Sequence, residues 1–187
     1  MNTDYNLNSE DQLTKLIKSK GINSWNILTE YIASLPYGRN SNRANFKLVI
    51  LEKKGSCSSK HALLKKIADL NGVPNIKLML GIYKMNQFNT PGIGNILTEN
   101  KINFILEAHC YLKINQKRVD FTTSQSEFEK IQIDIVHEKE IEPEQVAEFK
   151  VVYHRNYLKK WIIKNKIDFD YDRIWQIREK CIEKLCE

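Results

Sequence analysis

The sequence predicts an α+β fold in which one helix meets an antiparallel sheet at its N-terminal end, with further helices flanking this core on both sides. Three observations carry the prediction. Apolar residues recur at helical spacing in the first third of the chain and again after Pro143. Two apolar segments, 76–83 and 105–114, are bounded by turn-forming residues and read as strands. Between the two patterns, Gly55-Ser56-Cys57 places a helix-capping serine directly after an extended apolar run, Phe46 to Leu51.

The elements follow in order. Ser9-Glu10-Asp11-Gln12 has the form of a capping box and opens a short helix that Gly21 closes. Ser24 caps a second helix, with Trp25, Leu28, Ile32 and Leu35 on one stripe before Pro36 ends it. A polar loop rich in hydrogen-bonding groups covers 37–43. The third helix spans 56–70, with Ala62, Leu63, Ile67 and Leu70 facing inward, and Asn71-Gly72 stops it. After the strand over 76–83, residues 89–95 form a long turn.

Segments 105–114 and 118–122 bracket Asn115-Gln116-Lys117 and read as a hairpin. In the first strand His109 and Tyr111 share one face, while Ala108, Cys110 and Leu112 share the other. A two-residue loop pairs Tyr111 with Asp120 and sets His109 diagonal to Asp120 on the same face. A three-residue loop without a bulge turns Asp120 away. The spacing permits the His109–Asp120 pair without requiring it.

From Pro143 onward Val146, Phe149, Val152 and Tyr153, then Leu158, Trp161 and Ile162, follow helical spacing. A last helix over 171–185 starts behind Asp168 or Asp170. The chain is read as a single domain, 1–187, with its core over 25–125 and a helical flank or appendage over 143–187.

Bulk properties narrow the function classes. The chain has 187 residues, 42% hydrophobic and 28% charged, ordinary values for a globular protein able to build a substantial core. Its apolar runs are too short to span a bilayer, and Met1-Asn2-Thr3-Asp4 does not open an apolar signal region. The expected location is the cytoplasm, with no membrane partner. Cys57, Cys110, Cys181 and Cys186 match no zinc or redox spacing, so reduced thiols are expected. The net charge of +6 is spread among interleaved acids, which describes a solvated lysine-rich surface and no specific nucleic-acid partner. Cys57, His61 and His109 supply at most three metal ligands, with Cys110 on the opposite face from His109, and no phosphate-cradling glycine loop follows a strand. Neither metal nor cofactor is expected, and the oligomeric state is left open.

The chemistry-bearing set is Cys57, His109 and Asp120. A helix N-terminus stabilises a thiolate through its partial positive charge and free N–H groups. A histidine accepts and returns a proton near neutral pH, and a carboxylate on its second nitrogen fixes the tautomer. The Cys57 N–H is the first candidate donor to a developing oxyanion, with Trp25, Asn40 or Asn42 as candidates for the second. Arg39 and Arg43 either grip an anionic substrate or anchor their loop. His61, one turn beyond Cys57, either tunes the thiolate and lines the pocket or serves a structural role.

Gly55-x-Cys57-Ser58-Ser59-Lys60-His61-Ala62-Leu63-Leu64, Ala108-His109-Cys110-Tyr111-Leu112 and Arg118-Val119-Asp120-Phe121-Thr122 together resemble the transglutaminase-like superfamily of papain-type cysteine enzymes. The resemblance covers roughly Trp25 to Thr122. More narrowly, residues 35–43 and Gly81-Ile82-Tyr83-Lys84-Met85 look like a family of small uncharacterised bacterial proteins within that superfamily. It implies a transglutaminase-like core, with Cys57 as nucleophile, His109 as general base then acid, and Asp120 orienting the imidazole. The implied activity is acyl transfer or hydrolysis on an amide or thioester of a protein, peptide or small molecule. The alternative is a binding or scaffolding module that keeps the fold without turnover.

Overall fold

A four-stranded antiparallel sheet organises the computed structural model, which describes residues 4–186. Its strands are β1 (Ile76–Met85), β2 (Ile105–Ile114), β3 (Lys117–Val119) and β4 (Ile135–Ile141), in the order β3-β2-β1-β4. β1 and β2 pair along their whole length, from Ile76–Ile114 to Met85–Ile105. Four helices precede the sheet: α1 (Gln12–Lys18), α2 (Trp25–Ser34), α3 (Lys47–Leu51) and α4 (Cys57–Leu70). The short α5 (Ile96–Glu99) and α6 (Glu129–Gln132) lie in its connections, and α7 (Glu148–Asn165) and α8 (Tyr171–Lys184) close the fold. α4 packs on β1 and β2, and α7 and α8 also reach β2. The fold is α+β, and the C-terminal helices flank the sheet and share its core.

The core explains why α4 holds its place. Ala62, Leu63, Leu64 and Ile67 have no exposed surface, and each of the larger three contributes about 1.5–3 kcal/mol on burial. Leu70, expected to face inward, is exposed at the last position of the helix, which Asn71 caps. Gly72, at φ +67°, turns the chain away as the stop signal predicts.

Several boundaries differ from the sequence reading. Asp11, and not Ser9, caps α1, accepting from the Leu13 and Thr14 N–H groups at 2.8 and 2.9 Å. The apolar run after Phe46 is the single-turn helix α3 rather than an extended segment. A short apolar run carries no period long enough to tell the two apart. Strand β4 shows no strand signature in the sequence because Glu138, Lys139 and Glu140 interrupt its apolar pattern. On α7 the apolar stripe holds in part: Leu158 is buried and Phe149, Tyr153, Trp161 and Ile162 pack on the core, whereas Val152 is exposed. Asp170, one of the two proposed caps, accepts the Arg173 N–H at 2.7 Å and starts α8.

The β2–β3 hairpin takes the two-residue form. Leu112 pairs with Val119 and Ile114 with Lys117, leaving Asn115 and Gln116 as the loop. Both loop residues have positive φ, 47° and 70°, the backbone that lets a tight turn follow the right-handed twist of its strands. Continuing this register puts Asp120 level with Tyr111 and diagonal to His109.

Among the described residues, no helix is long and apolar enough to cross a membrane.

Candidate active site

Cys57 is the first residue of α4, and its neighbours dictate that position. The Ser56 side chain accepts from the backbone at Ser59, and the Ser59 hydroxyl accepts the Ser56 N–H at 3.0 Å, a reciprocal capping box. Gly55 precedes it because a Cβ there would sit 2.8 Å from Lys60 Cγ and 3.0 Å from Ser59 Oγ. The Gly-x-Cys spacing is thus a packing requirement of the capped turn. As the first helical residue, Cys57 has an N–H with no acceptor inside the helix.

His109 and Asp120 meet as the hairpin register allows. His109 Nε2 donates to Asp120 Oδ2 at 2.8 Å. Asp120 Oδ1 accepts the Thr122 N–H at 2.8 Å and the Thr122 hydroxyl at 2.5 Å. With Nε2 committed, Nδ1 is the nitrogen left to share a proton with the thiol. The imidazole stacks on Tyr111, with centroids 6.1 Å apart and planes at 22°, and meets the Tyr83 ring edge-on at 71°. The Tyr111 hydroxyl donates to Glu138, whose carboxylate also holds Arg118 at 2.8 and 2.9 Å. Strand β4 therefore holds the ring beneath His109.

Electrostatics favour an ion pair between thiol and imidazole. Burial pushes the Cys57 thiol up, but the Lys150 charge and then His109, by charge and hydrogen bonding, outweigh it and bring the thiol well below its usual range. Burial pulls His109 down, and the charges of Asp120 and Cys57 more than reverse this, raising the imidazole. Burial pushes the Asp120 carboxyl up, while the charge and hydrogen bond of His109 and the hydrogen bonds from Thr122 hold it well below the usual carboxylate range.

Lys150 is a site residue that the sequence does not reveal. It projects from α7, is only 7% exposed, and donates to Ser58 Oγ at 2.7 Å with its ammonium 3.8 Å from Cys57 Sγ. Helical spacing did point to an inward face near this position. It selects apolar residues, Leu158 among them, but the same helix also buries the polar Lys150 and His154.

The segment carrying Asp120 is stapled to α4 by two buried side chains. His61 Nδ1–H donates to the Cys57 carbonyl at 2.8 Å, and its Nε2 accepts the Phe121 N–H at 2.8 Å. Both nitrogens are thereby used and the ring is neutral, in keeping with burial lowering it to about 4. Its 3.5 Å approach to Asp120 Oδ1 is consequently not an ion pair. Lys60, with no exposed surface, donates to the carbonyls of Leu35 and Thr122, tying α2 to the same segment. Of the two readings of His61, the structure shows the strut.

The remaining candidates separate. Trp25 is packed in the core and does not border the cavities at Cys57. Asn40 spends its amide on Glu52 and the Lys54 carbonyl, both at 2.9 Å, and Asn42 accepts the Ala44 N–H at 2.9 Å within its own turn. None of the three presents a donor to the thiol. Tyr37 does border the site: a parallel bridge between Tyr37 and Gly55 sets it beside the start of α4. Burial, then the Cys57 charge, raise its phenol well above the ordinary value, so it remains an O–H donor. Arg39 pairs with Glu179 at 2.7 Å, and Arg43 lines a cavity on the α7 side of Cys57.

A cavity of about 390 Å³ opens at the thiol, bordered by Cys57, His109, Asp120, Tyr37 and Tyr83. The arrangement places a thiol lowered by its surroundings, an imidazole hydrogen-bonded to a carboxylate, and an open space on one cavity, the groups that thiol acyl transfer requires. In comparisons with known proteins, no family model, no curated protein and no solved structure matches this chain.

Proposed function

We propose that this protein is a thiol enzyme of transglutaminase-like type, acting on an amide or thioester through a Cys57 acyl-enzyme. The carrying observation is the convergence of Cys57, His109 and Asp120 on one cavity, with His109 Nε2 held by Asp120 at 2.8 Å. The Cys57 sulfur attacks the carbonyl carbon, and its proton resides on His109. The tetrahedral oxyanion takes the Cys57 N–H and the Tyr37 hydroxyl as donors. Loss of one such donor typically costs about 10²–10³ in rate. Collapse expels the amine or thiol, protonated by His109, and leaves the acyl group on sulfur. Water or an amine then completes the cycle, with His109 taking the incoming proton.

Burial alone raises a structural cysteine, whereas the Cys57 thiol is lowered and borders a cavity, which favours an enzyme over a binding module. The test is acyl-enzyme trapping. A panel of amide, thioester and activated-ester probes is incubated with wild type, Cys57→Ala and His109→Ala, and the intact mass is followed. The proposal expects a covalent acyl adduct on Cys57 in wild type that is lost in Cys57→Ala and strongly slowed in His109→Ala. Equal labelling of wild type and His109→Ala would favour the binding-module reading.

A further inference from the structure

Cys57 stands between two cavities, and the second is unlike the first. On the side of α7 and α8 lies a cavity of about 190 Å³ that also has Cys57, Ser58 and Tyr37 on its wall. Five cations line it, from Arg39, Arg43, Lys150, Arg155 and Arg178, against two acids, Glu107 and Glu179. Both acids are already engaged. Glu107 takes Arg178 in a two-pronged pair, and Glu179 takes Arg178 and Arg39 at 2.6 and 2.7 Å. Arg43, Lys150 and Arg155 have no carboxylate within 4.0 Å among the described residues. Lys150 is buried at the base, and Arg155 lies at the rim above the Trp175 ring, 4.9 Å from its centroid.

With Lys150 answering the Cys57 thiolate, the guanidiniums of Arg43 and Arg155 remain without a carboxylate on the cavity wall, and two forked donors converging on a small cavity favour an anion. We infer that this cavity binds a compact oxyanion, a carboxylate or a phosphate, carried by the substrate on one side of the bond that Cys57 attacks. The inference rests on the proposed thiol chemistry and names its substrate class: an acidic acyl donor or an acidic leaving group. The site thus divides into a wide cavity at His109 and a narrow cationic one at Lys150, with the scissile carbonyl held over the sulfur between them.

Alkylation separates this from the chemistry it rests on. Rate constants for iodoacetate and iodoacetamide are measured at Cys57 by peptide mass spectrometry, with exposed Cys186 of the same chain as the reference thiol. The two reagents differ in one anionic group and consume the same thiolate, so their ratio cancels differences in thiol ionisation. The iodoacetate-to-iodoacetamide ratio at Cys57 is expected to exceed that at Cys186 by about tenfold, the factor that ~1.4 kcal/mol of anion recognition provides. The excess should shrink in Arg43→Ala and Arg155→Ala. At constant ionic strength, protection of Cys57 by glutarate marks a carboxylate substrate, and protection by inorganic phosphate marks a phosphorylated one. Rapid reaction with both reagents at the Cys186 ratio, or protection by neither anion, overturns the anion site alone. A Cys57 inert to both reagents overturns the thiol chemistry and the anion site together.

Discussion

The Lys150 ammonium lies 3.8 Å from the Cys57 sulfur, although 93 residues separate them in the chain. A positive charge brought that close by α7 is the largest influence lowering the thiol against the cost of its burial. Lys150→Met, which keeps the stem and removes the charge, is expected to raise the pH midpoint of Cys57 alkylation by at least about one unit and to slow alkylation at pH 6 by at least about fivefold. Lys150→Arg should retain much of the shift. A stopped-flow alkylation profile checks both variants, and an unmoved midpoint in Lys150→Met would assign the lysine to packing alone.

Asp120 acts on the sulfur only through His109. Asp120→Asn preserves the shape and removes the charge that raises the imidazole. The His109 midpoint should fall by more than about one unit, a differential interaction of at least ~1.4 kcal/mol. Imidazole resonances followed against pH by NMR report it directly. The same variant should lose alkylation rate near neutrality, because the thiolate loses its cationic partner.

His61 is a strut whose removal leaves the Cys57 carbonyl and the Phe121 N–H without their partner. His61→Leu is expected to cost about 2 kcal/mol in urea denaturation, the scale of two buried polar groups left unpaired. The pH dependence carries a second signature. Since folding lowers this histidine to about 4, the unfolded state binds the extra proton between pH 6.5 and 4. Its neutral form is compatible with folding above that window, and stability falls as the pH drops through it. That part of the acid sensitivity should vanish in His61→Leu.

The hairpin that delivers Asp120 is closed by Gln116 at φ 70°, a conformation that costs a residue with a side chain about 1–2 kcal/mol. Gln116→Gly should raise stability by about 1 kcal/mol, or a melting temperature by about 2–4 °C for a chain of this size. Cys57 reactivity should not change, because the register is already the one that pairs His109 with Asp120.

Sequence reasoning reached the parts of this molecule that local chemistry specifies. Gly55, Ser56 and Cys57 announce a capped helix start, and Asn115-Gln116 leaves only two hairpin registers to choose between. What stayed hidden depends on residues remote in sequence. Lys150 looks like a surface lysine until α7 packs on β2, and Lys60 looks solvated until its ammonium meets two carbonyls from other elements. Tyr37 reads as one polar loop residue among seven, and only its bridge to Gly55 brings it to the thiol. β4 was concealed by its own charges, although Glu138 fixes the ring under His109. Buried polar groups leave no hydrophobic period behind, so pattern reading selects their apolar neighbours instead.

The pH profile of Cys57 alkylation by iodoacetamide in the unmodified protein tests the central claim most directly. With Lys150 and His109 holding the sulfur as a thiolate, the rate should climb through about pH 6 and stay level toward alkaline pH. A single rise near pH 8.5, the behaviour of a free cysteine, would show that the three side chains sit together without activating the sulfur.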